Sequence, residues 1–200
     1  MVTAGLSGGI ASGKTTVVEL FRELGAEIID ADTLAREIVE PGREGFERIR
    51  QVFGPGMLTA RGRLDRARLA AHVFGDAAEL QRLNAVLHPL VKSGIHTRIA
   101  RLSREGFGGT VVVDVPLLFE CGWQAMFART ILVYCSPGQQ LRRLMRRNGL
   151  DRSQADARIA AQMPLREKKK LADFVIDNQG SRQGLRSAVA AVYGRLLLLQ

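Results

Sequence analysis

The segment SGGIASGKTT, residues 7–16, restricts the fold of this chain more than any other part of the sequence. Its spacing, Gly8-x-x-x-x-Gly13-Lys14-Thr15, is that of a phosphate-binding loop, in which glycines let several backbone N–H groups point inward. The apolar run before the loop predicts a buried strand, and the apolar stripe after it predicts a helix. The pattern predicts a site for a nucleoside triphosphate, with Lys14 on the β- and γ-phosphates and the Thr15 hydroxyl on Mg²⁺.

Short apolar runs alternate with helical stretches along most of the chain. Further strands are predicted at residues 26–30, 110–116, 130–136 and 173–178. Each is nearly continuous in apolar residues, which is typical of a parallel sheet covered by helices on both faces. Residues 43–108 are predicted to be helical, with Asp65 and Asp76 as helix N-caps and a kink or break at Pro89. The expected fold class is α/β, a phosphate-loop parallel β-sheet core flanked by helices, with a helical insertion.

The net charge of +9 is concentrated in one segment. Residues 139–170 contain ten Lys or Arg and three acidic residues, a net charge of +7, which favours a polyanionic partner. On the helix predicted at 137–149, arginines are spaced three and four residues apart, at Arg142, Arg143, Arg146 and Arg147. This helix is either a solvated surface or part of a basic helical lid. Such a lid would close over ATP and bring an arginine to the transferred phosphoryl group, with Gly138 and Gly149 as hinges.

Carboxylates follow two of the predicted strands. Ligands of open parallel sheets bind beyond the carboxyl ends of the strands, where Asp30, Asp32, Asp114 and Glu120 stand. A carboxylate there can hold Mg²⁺ through water or accept the proton of an attacking hydroxyl, but Asp30 or Asp32 can equally well be a helix cap. Asp114 lies in an apolar run and therefore needs a partner such as Mg²⁺ or a cation. A lone histidine such as His88 is more often a packing or capping residue.

Other features of the sequence point to the cytoplasm. No apolar run reaches the roughly 18 residues that a membrane span needs, and the N-terminus lacks the basic segment and long apolar stretch of a signal peptide. Cys121 and Cys135 show no metal-ligand spacing and are expected to be buried free thiols of a reducing compartment. We therefore expect a cytoplasmic protein without a membrane partner.

The motifs, in their order along the chain, resemble the dephospho-coenzyme A kinase family. The resemblance covers nearly the whole chain and rests on GLSGGIASGKTTV, IIDADTLAREIVEPG, LHPLV, VVVDVPLLFE, QLRRLMRRNGL and AQMPLREKKKLADFVIDN. The DAD…EPG and DVPLLFE motifs are far more discriminating than the phosphate loop. The resemblance implies transfer of the γ-phosphoryl group of ATP to the ribose 3′-hydroxyl of dephospho-CoA, the last step of coenzyme A synthesis, with Mg²⁺.

The resemblance also assigns roles to residues of this sequence. Asp32 is expected to be the general base, Lys14 to hold phosphate, and Arg143 to contact the transition state. The ATP site is expected to comprise Gly8, Gly9, Ile10, Ala11, Ser12, Gly13, Lys14, Thr15, Thr16, Arg147 and Asn178, with Thr15 as the Mg²⁺ ligand. The acceptor site is expected to comprise Asp32, His88, Pro89, Asp114, Pro116, Leu117, Leu118, Phe119 and Glu120. Ala11 and Ser7 replace the family's usual glycine and threonine, with a small effect expected from the added methyl group of Ala11.

The resemblance implies a three-part layout. The nucleotide core is expected at residues 1–40, 109–136 and 171–200, the acceptor domain at 41–108 and the lid at 137–170. We expect a monomer that binds ATP and dephospho-CoA and no nucleic acid. Two alternatives remain at this point. One is a kinase of another small acceptor, such as a nucleoside monophosphate or shikimate. The other is a nucleic-acid-binding protein switched by ATP, whose affinity would fall steeply with salt.

Overall fold

The structure, a computed structural model, describes residues 1–73 and 75–199. These residues form two compact units. Residues 1–30 and 102–200 make up the first, which we term the sheet unit, and residues 31–101 make up the second, the helical unit. No helix in the described ranges is long and apolar enough to cross a membrane.

The sheet unit is built on a five-stranded sheet with the order β2-β3-β1-β4-β5. Its strands are β1 (Val2–Gly8), β2 (Glu27–Asp30), β3 (Thr110–Asp114), β4 (Arg129–Tyr134) and β5 (Phe174–Asp177). All neighbouring strands run parallel, which confirms the predicted sheet. In the register, Leu6 of β1 lies opposite Asp114 of β3 and Ile131 of β4. The carboxyl ends of the strands therefore meet at the edge where β1 enters the phosphate loop.

Helices alternate with these strands and also fill the helical unit. They are α1 (Lys14–Glu23), α2 (Ala31–Glu37), α3 (Glu44–Phe53), α4 (Arg66–Val73), α5 (Ala77–Arg104), α6 (Pro137–Asn148), α7 (Arg152–Ala160), α8 (Leu165–Leu171) and α9 (Arg182–Leu197). The predicted caps are confirmed: Asp65 accepts the Arg68 N–H at 2.9 Å, and Asp76 accepts the Ala78 N–H at 2.9 Å. Gly149 ends α6 with a left-handed backbone, φ 63°.

Burial of β1 between helices and its neighbouring strands fixes the position of the loop that follows it. Apolar side chains of β1 pack in one cluster with α1 and α9, among them Ala4, Leu6, Val17, Phe21, Val189 and Leu196. Gly5 allows a close approach by Phe127, because a Cβ at Gly5 would lie 2.5 Å from the Phe127 ring. A strand packed this tightly is a rigid base for a binding loop.

Of the kink or break predicted at Pro89, the break is wrong. Helix α5 runs without interruption through 28 residues with Pro89 inside it. A proline inside a helix costs about 3 kcal/mol, because it removes a hydrogen bond and crowds the preceding turn. On either side of Pro89, however, the helix buries Val86, Val91 and Ile95. Each such side chain contributes about 1.5–3 kcal/mol of burial, which offsets the cost.

The helical unit has its own apolar core. Val39, Ile49, Leu69, Val73 and Val86 are buried against one another there. Because Val39, just after α2, packs with α3, α4 and α5, the unit starts at residue 31, whereas the sequence interpretation placed the insertion at 41–108.

Candidate active site

The phosphate loop connects β1 to α1 in a tight, left-handed path. The Ser12 N–H donates to the Gly9 carbonyl at 3.0 Å, and Gly13 has φ 93°, which favours glycine. No side chain caps α1 at Gly13. The first N–H groups of α1 therefore have no helical acceptor and are available to an anion, which the positive end of the helix also attracts. Thr15 and Thr16 are exposed in this first turn.

Ala11 lies in the same left-handed region, with φ 59°. For a residue with a Cβ this conformation costs about 1–2 kcal/mol, because the Cβ crowds the following carbonyl oxygen. The small effect expected from the sequence considered only the volume of the methyl group. The structure adds a backbone cost, and the loop must be held firmly for Ala11 to stay there.

Two glutamines from distant helical segments bind the main chain of Ile10. Gln140 of α6 donates its Nε2 to the Ile10 carbonyl at 2.9 Å. Gln162, which lies between α7 and α8, accepts the Ile10 N–H at 2.8 Å. A Cβ at Gly9 would lie 2.6 Å from Gln140 Nε2, so only glycine leaves room for this amide beside the loop.

Asn178 and Arg143 hold the next part of the loop. Asn178 Nδ2 donates to the Ser12 carbonyl at 2.8 Å, and it occupies the space above Gly13, where a Cβ would lie 2.0 Å away. Arg143 donates to the Asn178 carbonyl at 2.9 Å and to the Ser12 carbonyl at 3.4 Å. The predicted residues Ser12, Gly13, Arg143 and Asn178 are therefore brought together, with the asparagine bonded to the loop backbone.

Lys14 and Asp114 form an ion pair through both carboxylate oxygens. Asp114 is the last residue of β3, next to β1 in the sheet, and the two side chains are only 19% and 13% exposed. The expectation that Asp114 needs a partner is confirmed, and Lys14 is that partner. Ser7 links the end of β1 to the segment after β3, since its hydroxyl donates to the Pro116 carbonyl at 2.8 Å.

One face of α6 presents arginines to a cavity. The cavity has a volume of about 390 Å³ and is lined by Gln139, Arg142, Arg143 and Arg146. Arg147 does not line it and donates to the side chain of its neighbour Asn148 at 2.9 Å. Beneath this face, burial raises the pKa of the Cys135 thiol, and the positive charge of Arg143 opposes the rise. Cys135 is a buried free thiol as expected, whereas the expectation that Cys121 is buried is wrong, because this residue is half-buried.

The DVPLLFE segment is only partly core. Leu118 and Phe119 are buried, whereas Leu117 is exposed. The Glu120 carboxylate accepts the Met163 N–H at 3.1 Å and lies 2.8 Å from Nζ of Lys168. Lys168 is fully buried, and among the described residues its Nζ meets no acceptor with hydrogen-bond geometry, so charge attraction holds this pair. Glu120 thus joins the loop after β3 to α8.

The helical unit carries the other predicted residues. Asp32 is the second residue of α2, so it stands inside the first turn and is not the N-cap residue. It is exposed and borders a largely apolar cavity of about 390 Å³, lined by Ala35, Arg36, Val39, Ile49, Leu64, Arg66, Leu69, Ala70, Val73, Leu83 and Leu87. In α5, burial lowers the pKa of the half-buried His88, and the positive charge of Lys92 lowers it further. Pro89 beside it is exposed.

The sequence places Arg142 and Arg146 on the basic face of α6 but predicts no role for them in the ATP site, and it predicts none for Gln140 and Gln162. Gln139, Arg142 and Arg146 recur at spacings of three and four along α6, so the periodicity of this helix indicates a shared face. Gln140 and Gln162 stand in two of the quoted motifs, but nothing local shows what they bind, because their partner lies more than a hundred residues earlier in the chain.

The fold and the loop together define a class. A five-stranded parallel sheet whose first strand leads through a phosphate-binding loop into a helix is the architecture of the phosphate-loop kinases. A family model described as dephospho-CoA kinase matches residues 2–183. The chain belongs to the dephospho-CoA kinase family, whose members are kinases and use ATP as substrate.

Individual relatives agree with this family. A Geobacillus kaustophilus protein named dephospho-CoA kinase is 47% identical over 191 residues, which cover 96% of this chain and 94% of that one. The structure of dephospho-CoA kinase from Campylobacter jejuni is 27% identical, with a TM-score of 0.63, and the match covers 98% of this chain and 97% of the other. A crystal structure of a Thermus thermophilus protein is 38% identical, with a TM-score of 0.83 over the same shares.

Proposed function

We propose that this chain transfers the γ-phosphoryl group of ATP to the ribose 3′-hydroxyl of dephospho-CoA, giving coenzyme A and ADP. The observation that carries the proposal is the family match over residues 2–183 on a chain whose phosphate loop has an uncapped helix start and a lysine beside it. A kinase acts mainly by positioning the phosphates and stabilising their charge, and this loop provides both. A monomeric, cytoplasmic protein without a nucleic-acid or membrane partner remains our prediction.

The ion pair of Lys14 and Asp114 suggests how ATP enters. In our proposal the phosphates attract Lys14 away from Asp114, so that the ammonium follows the β- and γ-phosphates and the carboxylate is released. Asp114 and the exposed Thr15 hydroxyl are oxygen ligands of the type that Mg²⁺ prefers. The described residues contain no cluster of three or more His, Cys, Asp or Glu that forms a metal cage. These residues fit a Mg²⁺ ion held largely by phosphate and water, which would neutralise charge on the phosphates.

We propose that Arg143 contacts the transferred phosphoryl group in the transition state. It is bonded to the Ser12 carbonyl of the loop, and it lines the arginine cavity on α6. A guanidinium that stabilises the transferred phosphoryl group can contribute about 10³–10⁵ in rate. Arg142 and Arg146 share its cavity and extend the cationic surface along α6.

Asp32 is our proposed general base. It is the second residue after β2, in the helix α2 that begins directly at the carboxyl end of that strand. In the proposed step its carboxylate accepts the proton of the ribose 3′-hydroxyl while that oxygen bonds to phosphorus and the bond to ADP breaks. We propose that the helical unit, with His88 and Pro89, binds the acceptor. We also propose that Glu120 affects acceptor binding indirectly, by anchoring the loop after β3 to Lys168.

We propose a shorter lid than residues 137–170. Gln140 and Arg143 attach the start of this segment to the phosphate loop, and Gln162 and Lys168 attach its end to the sheet unit. The moving part is therefore expected at about residues 150–161, with the left-handed Gly149, which ends α6, as its hinge. Gly138 lies in the first turn of α6 and is not needed as a hinge.

The proposal is tested by ADP release from Mg-ATP with a panel of acceptors that includes dephospho-CoA, a nucleoside monophosphate and shikimate. We expect turnover with dephospho-CoA far above a water blank, and its absence would reject the proposal. Asp32→Asn is expected to reduce turnover at least about 10²-fold while ATP still binds, because only the proton acceptor is lost. Glu47→Gln, at a surface carboxylate paired with Arg50, is the matched control and should be unaffected. A loss of only a few-fold in Asp32→Asn would exclude its role as base.

A further inference from the structure

We infer that Gln140 and Gln162 are positioning residues for ATP, which hold the peptide groups around Ile10 in the orientation that the phosphates require. The inference rests on the proposed role of the loop in binding ATP. Neither glutamine was among the residues that the sequence pattern singled out, and neither needs to touch ATP to act in this way.

The two glutamines satisfy opposite main-chain groups of one residue. Gln162 offers an oxygen to the Ile10 N–H at 2.8 Å, and Gln140 offers an N–H to the Ile10 carbonyl at 2.9 Å. Because the polarity of the backbone groups is fixed, the orientation of each side-chain amide is fixed as well. The Ile10 N–H is therefore already used and does not serve as a phosphate donor.

The bond from Gln140 also orients the next N–H group. The Ile10 carbonyl and the Ala11 N–H belong to one planar trans peptide, in which they point in opposite directions. Holding the carbonyl on Gln140 turns the Ala11 N–H away from α6. Ala11 itself has the strained value of φ 59°, which persists only where neighbouring contacts impose it. The two glutamines supply such contacts on the residue just before it.

The amide of Gln140 is buried beside the loop. Gln140 is only 5% exposed. Its side chain lies against Gly9, where an added Cβ would come within 2.6 Å of Gln140 Nε2. A buried amide is costly unless it finds a partner, and the Ile10 carbonyl is the partner that this one has. Gln140 and Arg143 both belong to α6, so the same helix positions the phosphate loop and the arginine.

The test is calorimetric titration of the full chain with ATP, which needs no acceptor and no turnover. Gln140→Ala and Gln162→Ala are each expected to weaken ATP binding about three- to tenfold, the equivalent of one lost hydrogen bond. Gln183→Ala, at an exposed glutamine of α9, is the matched control and should bind ATP like the original chain. In turnover assays the KM for ATP should rise while the KM for dephospho-CoA stays unchanged.

Two isosteric variants separate positioning from general damage. Gln162→Glu keeps an acceptor for the Ile10 N–H, whereas Gln140→Glu places an acceptor against the Ile10 carbonyl. Both add one negative charge beside the same residue, but only Gln140→Glu sets a buried acceptor against an acceptor, so Gln140→Glu should bind ATP about tenfold more weakly than Gln162→Glu. This comparison and Gln162→Ala remain decisive if Gln140→Ala fails to fold.

Equal ATP affinity of the glutamine variants and Gln183→Ala, or equal affinity of the two glutamate variants, would overturn the inference and leave the proposed function intact. If the unaltered chain itself bound no ATP, the proposed function would fail instead.

Discussion

Glu120→Ala is expected to be among the most destabilising single substitutions in this chain, because it leaves a buried ammonium without its counter-charge. Lys168 is fully buried and lies 2.8 Å from Glu120, whose side chain is 21% exposed. Removing one partner of a buried ion pair costs about 3–5 kcal/mol, because the remaining charge stays desolvated and unpaired. The Met163 N–H loses its acceptor as well. For a chain of this length, about 2–4 °C in Tm corresponds to 1 kcal/mol, so Tm should fall by roughly 6–20 °C.

The assay is thermal and urea denaturation of Glu120→Ala beside a control on α8, the helix that carries Lys168. Glu167 also pairs with a lysine, Lys170, at 2.7 Å, but these side chains are 41% and 70% exposed. An exposed pair contributes about 0–1 kcal/mol, so Glu167→Ala should change Tm little. Lys168→Met should cost less than Glu120→Ala, because the partly exposed Glu120 can hydrate while methionine fills the space. Equal losses in Glu120→Ala and Glu167→Ala would refute the reasoning.

Two other predictions concern stability. Ala11→Gly should stabilise the protein by about 0.5–1 kcal/mol in urea titrations. Glycine relieves about 1–2 kcal/mol of left-handed backbone strain, but it also raises the conformational entropy of the unfolded chain, which cancels part of the gain. A loss of stability would contradict the assigned strain. For His88, a lowered pKa in the folded state means that the unfolded chain binds the proton first as the pH falls below about 6.5. The contribution of neutral His88 to the free energy of unfolding is therefore complete above that pH and declines below it. His88→Gln should then lose less Tm than the original chain between about pH 7.5 and 5.5. Parallel Tm curves would show that His88 does not titrate in this way.

The sheet could be predicted because its information is local. Each strand is a short apolar run, and the helix caps at Asp65 and Asp76 need only the following few residues. The break at Pro89 could not be judged locally, since the outcome depends on how firmly Val86, Val91 and Ile95 are buried. Local preference lost to tertiary packing there.

The site was predictable only where a motif exists. Gly13, Lys14 and Thr15 follow from spacing, and the need of Asp114 for a partner follows from its apolar surroundings. Gln140 and Gln162 stand in two of the motifs that carry the resemblance, but their contacts with Ile10 cross more than a hundred residues of sequence, so the motifs do not show what the glutamines bind. The conformation of Ala11 was also hidden, because alanine does not indicate a left-handed backbone.

The central place of β1 has a consequence for how the chain is made. Its two neighbours, β3 and β4, are encoded at residues 110–134, and the residues that hold the phosphate loop come later still, up to Asn178. On the ribosome the first thirty residues therefore emerge long before their partners, while residues 31–101 are continuous and can pack as they appear. A strand that is translated before both of its neighbours is therefore expected to acquire its native shape only after they have appeared.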